Sequence, residues 1–144
     1  MKQLLPPLLC LFLAVNAAAE DNLAVAQKMV SDTMARVDKI DTESLKAMID
    51  QEQEFVLLDV RTPTEINNMG KIDAPQQLEI PRGWLEMRIF QHVDDKEVPI
   101  VVYCGGGIRS AFAVETLQQM GFTNARNYEA GFLDWENKGY PVKY

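Results

Sequence analysis

The sequence predicts an α/β domain, a mainly parallel central sheet with helices on both faces, preceded by an N-terminal helical extension. Three observations predict it. Residues 55–58 (Phe-Val-Leu-Leu) and 100–103 (Ile-Val-Val-Tyr) are unbroken apolar runs, the pattern of strands covered on both faces. Segments of helical period alternate with them along the chain, which is the order of βα units in a parallel sheet. Glycine and proline punctuate the boundaries, at Pro63, Gly70, Gly121, Gly139 and Pro141. A chain of 144 residues with 47% hydrophobic residues suffices for one domain with a substantial core.

Residues 1–19 read as a secretory signal peptide: Lys2, then a short apolar stretch interrupted by Pro6 and Pro7, then Ala17, Ala18 and Ala19 before Glu20 and Asp21. The apolar stretch falls short of the roughly 20 residues that span a bilayer. Cleavage there predicts export to the bacterial periplasm, with no membrane association of the mature chain. Residues 20–37 form the extension, with Ala26, Val30, Met34 and Val37 at close to helical spacing. Met29 and Met34 read as core or docking residues. The domain proper is 38–144.

Within it, Asp41 or Thr42 caps a helix carrying Leu45, Met48 and Ile49 on one face. The first buried strand follows and ends at Asp59. Thr62-Pro63-Thr64-Glu65 opens the next helix: threonine caps, proline suits the first turn, and Glu65 completes a capping box. A brief strand at 78–80 and a short helix at 84–90 lead to the second buried strand. A helix over 110–120 carries Ala111, Val114 and Leu117 and closes at Gly121. A strand at 126–128 and a helix at 132–138 finish the domain.

The most informative segment is Cys104-Gly105-Gly106-Gly107-Ile108-Arg109-Ser110, directly after the second buried strand. In open parallel sheets ligands bind at the carboxyl ends of strands, where Cys104 stands. Glycines let the backbone curl so that successive N–H groups converge on one anion, and the following helix adds the positive end of its dipole. Such surroundings lower a thiol's pKa. The segment therefore predicts a thiolate nucleophile; a glycine turn with cysteine as a small hydrophobe is the plainer alternative. Signal cleavage removes Cys10 and leaves Cys104 as the single cysteine of the mature chain. In an exported protein that pattern suggests a reactive thiol.

Composition removes other classes. Lys+Arg 14 against Asp+Glu 21 gives a net charge of −7 with no basic run, which argues against nucleic acid as a partner. One histidine, His92, and one mature cysteine leave no metal-ligand spacing, and His92 reads as a surface residue.

Several segments together resemble rhodanese-domain proteins. Leu57-Leu58-Asp59-Val60-Arg61-Thr62-Pro63-Thr64-Glu65 resembles their LLDVRTPEE signature, and Val101-Val102-Tyr103-Cys104 through Ser110 their active-site segment. Gly121-Phe122-Thr123-Asn124, Gly131-Phe132 and Trp135 through Gly139-Tyr140-Pro141-Val142 resemble their closing region, and Ile80-Pro81-Arg82-Gly83 the IPRG segment of single-domain members. The resemblance implies a sulfurtransferase without metal or organic cofactor. Cys104 takes the sulfane sulfur of a small sulfur-containing anion such as thiosulfate and passes it to cyanide, a thiol or a protein sulfur acceptor. A non-catalytic persulfide carrier is the rival reading.

The resemblance makes Gly105, Gly106, Gly107, Ile108, Arg109 and Ser110 the substrate-binding loop. Arg109 stands five positions after Cys104, whereas phosphatases sharing this architecture place their arginine six after the cysteine. Many relatives carry a charged or polar residue where this chain has Gly105 and Gly106. The positive charge facing a donor then falls to Arg109, with Arg82 or Arg88 as further sources. Asp59 and Arg61 read as supports that order the loops, Arg109 as a donor contact or a structural partner of Asp59, and Glu65 as a cap alone.

Overall fold

The computed structural model describes the backbone of residues 8–144 and the side chains from Asn22 onward. The expected signal peptide, residues 1–19, lies outside the residues whose side chains are described. The chain divides into two units, one ending at Ala35 and one comprising Arg36–Tyr144. In the first, helix α1 spans Leu8–Arg36 and so begins before the residue 23 expected from periodicity. Leu23, Val25 and Met29 on it are all more than half exposed, so Met29 is no core residue. Among the described residues no helix is long and apolar enough to cross a membrane.

The second unit holds the expected sheet. Strand β1 is Lys39–Ile40, β2 Val56–Asp59, β4 Gln77–Glu79, β5 Ile100–Tyr103 and β6 Ala125–Tyr128. They form a five-stranded sheet in the order β1-β6-β5-β2-β4, parallel at every pairing. The two apolar runs are its inner strands, and all four residues of β5 are buried. Lys71–Ile72 (β3) and Val142–Lys143 (β7) pair antiparallel as a separate ribbon.

The helices of this unit are α2 (Thr42–Asp50), α3 (Pro63–Met69), α4 (Leu85–Arg88), α5 (Ile108–Gln119) and α6 (Gly131–Asn137). Asp41 caps α2 by accepting from the Ser44 N–H at 2.6 Å. Thr42, the other candidate, is buried and bonds instead to Tyr128 and Asp134. At α3 the capping box forms as read: Thr62 Oγ1 accepts from the Glu65 N–H at 3.2 Å, and Glu65 Oε2 accepts from the Thr62 N–H at 3.0 Å. The expected helix over 84–90 is one turn of α-helix flanked by 3₁₀ turns at Arg82–Trp84 and Ile89–Gln91. A core of Leu45, Leu57, Val101, Tyr103, Phe132 and Trp135 lies under α2 and α6. His92 is on the surface, and Trp84 is 53% exposed with the Arg88 guanidinium 4.6 Å above its ring.

Candidate active site at the carboxyl end of the sheet

Cys104 directly follows β5, beside the centre of the sheet, and is 2% exposed. Gly107 caps α5 with φ 84°, and its carbonyl accepts from the Ala111 N–H at 3.1 Å. The helix therefore starts at Ile108, two residues before the expected Ser110. A side chain at 107 is doubly forbidden: φ is left-handed, and a Cβ would sit 2.0 Å from the Glu129 carbonyl oxygen. Gly105 and Gly106 differ. A Cβ on Gly105 meets only Arg109 Nη2, at 3.7 Å, and one on Gly106 meets nothing within 4 Å. Only the third glycine is required by the backbone.

Three supports hold the loop. The Asn127 side-chain amide donates to the Gly107 carbonyl at 3.1 Å. The Phe132 and Leu133 N–H groups, in the first turn of α6, donate to the Cys104 and Gly105 carbonyls at 2.8 and 3.1 Å. Ser110, fully buried, places its hydroxyl 3.5 Å from Cys104 Sγ and 3.1 Å from the Gly107 carbonyl. With the Cys104, Gly105 and Gly107 carbonyls bound in this way, the N–H groups of Gly106, Gly107 and Ser110 face the sulfur.

The electrostatic result is a balance of opposed effects. Burial pushes the Cys104 thiol up. The Ser110 hydroxyl and the N–H groups of Ser110, Gly106 and Gly107 outweigh it and hold the thiol below its ordinary value. The largest contributions that favour the anionic sulfur thus come from neutral donors.

Arg109 reaches over the loop but does not pair with Asp59. Its guanidinium is held by Glu65 in a two-pronged contact, Nη1 to Oε2 at 2.8 Å and Nη2 to Oε1 at 2.6 Å. Glu65 therefore does more than cap α3. The contact with Arg109, reinforced by Thr62, pulls the Glu65 carboxyl down to about 2 against its desolvation. The Arg109 guanidinium is held further toward its charged form, by Glu65 first and with a contribution from the Cys104 sulfur.

Asp59 and Arg61 form their own buried pair, with Arg61 Nη2 to Asp59 Oδ2 at 2.6 Å. Arg61 also donates to the Gly70 carbonyl at 2.9 Å and lies 4.0 Å over the Phe132 ring. Both residues thus support the loop from below, through the residue whose N–H binds the Cys104 carbonyl. Arg82 directs its guanidinium to Glu86 and Thr116, both at 2.8 Å, and so ties the segment after β4 to α5, the helix that follows the loop. Arg88 lays its guanidinium over the Trp84 ring. Ile108, 49% exposed, opens α5 beside the loop.

Sequence reasoning passed over Asn127 and the Glu65 contact with Arg109. Asn127 carries no local signal; Glu65 already had a sufficient explanation as a cap. A cleft of about 570 Å³ lies instead at the opposite end of the sheet, lined by Phe55, Pro75, Gln76 and Val98 before β2 and β5, and takes no part in the thiol site.

Residues 41–138 match the model of the rhodanese-like domain family. A sulfurtransferase of Allochromatium vinosum is 34% identical over 106 residues, covering 74% of this chain and 94% of the relative. The solved structure of the polysulfide-sulfur transferase homodimer from Wolinella succinogenes aligns with a TM-score of 0.76 and 30% identity, over 86% of this chain and 90% of that one. YrkF of Bacillus subtilis, a candidate sulfur carrier protein, is 31% identical over 108 residues, 75% of this chain and 56% of YrkF.

Proposed function

The chain belongs to the rhodanese-like domain family, whose members similar to it include sulfurtransferases, and on that premise we propose that it moves sulfane sulfur through a persulfide on Cys104. One observation carries the reading: a buried thiol that faces the Ser110 hydroxyl at 3.5 Å and the N–H groups of Gly106, Gly107 and Ser110, which hold it below its ordinary value. The thiolate attacks the outer sulfur of a donor such as thiosulfate. A bond forms between Cys104 Sγ and that sulfur, the sulfur–sulfur bond of the donor breaks, and sulfite leaves with the electron pair. Cyanide or a thiolate then attacks the outer sulfur of the persulfide, releasing thiocyanate or a new persulfide and restoring the thiolate. This is covalent catalysis in two half-reactions, with ping-pong kinetics.

The loop suits both states of the cysteine. A persulfide extends the anion outward by one atom, and N–H groups aimed at the first sulfur remain in reach of the second. They act as preorganised donors that need not reorient as charge moves. The spacing from Cys104 to Arg109, one residue shorter than in the phosphatases with this architecture, favours a compact sulfur over a tetrahedral phosphate. The location that goes with this reading is the periplasm, after removal of residues 1–19. A mature N-terminus at Glu20, found by intact-mass measurement of the secreted form, tests it.

The direct test is Cys104→Ser assayed for thiocyanate formation from thiosulfate and cyanide. Loss of turnover is expected, together with a gain of one sulfur atom on the wild-type protein after donor exposure. Undiminished turnover by the serine variant would sink the assignment. The likeness to the candidate carrier YrkF favours a second reading, a carrier that delivers sulfur only to a protein partner. A carrier charges with one sulfur as readily but turns over poorly with cyanide or small thiols.

A further inference from the structure

The glycine loop brings no charge of its own, and the two remaining arginines named as sources are committed elsewhere, Arg82 to Glu86 and Thr116, Arg88 to Trp84. Arg109 is left as the cation over the loop, its Nη2 3.7 Å from where a Gly105 Cβ would stand. Both Nη atoms, however, are taken by the two carboxylate oxygens of Glu65. Glu65 in turn is anchored at the start of α3, accepting from the Thr62 N–H at 3.0 Å and the Thr62 hydroxyl at 2.8 Å. A cation and an anion side by side present little net field to an approaching ligand.

We propose that Glu65 is a positioning residue that sets the charge preference of the thiol site, by holding Arg109 in a compensated pair and so disfavouring doubly charged donors relative to singly charged ones. The proposal rests on the sulfurtransferase reading only for the identity of the donors. Thiosulfate and methanethiosulfonate both present an outer sulfane sulfur, and they differ by one unit of charge. Against the compensated pair the dianion gains nothing from Arg109 that the monoanion lacks. The pair lies within reach of solvent and of an approaching ligand: the Arg109 and Glu65 side chains are 41% and 31% exposed.

The test uses Glu65→Gln, which removes the charge and keeps a residue that still completes a capping box. Its first readout needs no turnover: alkylation of Cys104 by iodoacetate, an anion, and by iodoacetamide, neutral and of similar size, measured on the Cys104 peptide by mass spectrometry. Unmasking one positive charge at the mouth raises the iodoacetate-to-iodoacetamide rate ratio by about tenfold at low salt. The kcat/KM ratio of thiosulfate to methanethiosulfonate rises alongside, through KM for thiosulfate. In Glu65→Gln combined with Arg109→Gln both ratios return toward the wild-type values, because the charge that was unmasked is gone.

An alkylation ratio within twofold of wild type in Glu65→Gln overturns the proposal. So does an equal change with both reagents, which marks a structural role acting on the thiol alone. A raised alkylation ratio in a protein that turns over neither donor supports the charge role of Glu65 and refutes the sulfurtransferase reading instead.

Discussion

Ser110→Ala separates the ionisation of the thiol from the stability of the loop. The Ser110 hydroxyl has one proton and two acceptors within reach, Cys104 Sγ at 3.5 Å and the Gly107 carbonyl at 3.1 Å. When the thiol is protonated the hydroxyl serves the carbonyl; when it ionises, the hydroxyl turns to the sulfur. Removing it leaves the Gly107 carbonyl still bound by the Asn127 amide and the Ala111 N–H, both at 3.1 Å, so no buried acceptor is orphaned. The cost at acid pH is therefore that of one ordinary hydrogen bond, about 1 kcal/mol. The thiolate loses more. A hydrogen bond to a charged group contributes roughly 1.5–3 kcal/mol, and the long sulfur contact puts this one at the low end, about a tenfold loss of thiolate at any pH below the midpoint. Iodoacetamide alkylation of Cys104 against pH measures it: the midpoint moves up, while the limiting rate at high pH rises by about threefold, since a more basic thiolate is the better nucleophile. Stability carries the same signature. The wild-type thiol is held below its unfolded value, so its contribution is complete above the unfolded pKa and fades as pH falls through the folded one. The difference between wild type and Ser110→Ala therefore widens with rising pH. An unmoved alkylation midpoint, or a stability difference that narrows with pH, would refute the reasoning.

Two further substitutions probe the supports of the loop. Gly131 has φ 70°, and a Cβ there would lie 2.5 Å from the Gly105 carbonyl and 2.9 Å from that of Cys104. Gly131→Ala therefore combines left-handed strain of about 1–2 kcal/mol with the loss of the Phe132 and Leu133 hydrogen bonds to the loop, about 3 kcal/mol in all by denaturant unfolding, and it raises the alkylation midpoint. A variant as stable as wild type would contradict this. Asp59→Asn leaves the Arg61 charge buried without its anion and costs about 3–5 kcal/mol, whereas replacing both residues with apolar ones of similar volume costs less than that single change. A double variant worse than the single one would refute the role given to the pair.

What the sequence disclosed and what it hid follow from the range of each interaction. Strands β2 and β5 were legible because a strand covered on both faces writes its whole length in apolar residues. The start of α3 was legible because Thr62, Pro63 and Glu65 complete their contacts within four residues. Strand β1 was missed because two residues carry no period. It exists through its pairing with β6, Lys39 opposite Asn127 and Ile40 opposite Tyr128. The ribbon of β3 and β7 escaped for the same reason. One of the two readings of Arg109 paired it with Asp59, which holds Arg61 instead. Residues two apart share a face of an extended segment, so Arg61 reaches Asp59 without any help from the fold. Arg109 was left to find Glu65, 44 positions away in sequence, a pairing that only the docking of α3 beside the start of α5 creates.

The division of labour around Cys104 also bears on why a cation is not the main stabiliser of its thiolate. A cation beside a thiolate lowers its pKa and also competes for it, forming an ion pair that attack on a donor must break. N–H groups fixed by the backbone do not titrate, and salt screens a buried dipole less than an exposed charge. The Asn127, Phe132 and Leu133 contacts hold the loop carbonyls in place, so these dipoles stay aimed at one point whatever occupies it. In the proposed reaction the occupant changes twice, from thiolate to persulfide and back, while the charge at the site stays at one unit throughout. A cradle of fixed dipoles matches that constancy, and it leaves the one thing that varies between donors, their charge, to the Arg109–Glu65 pair.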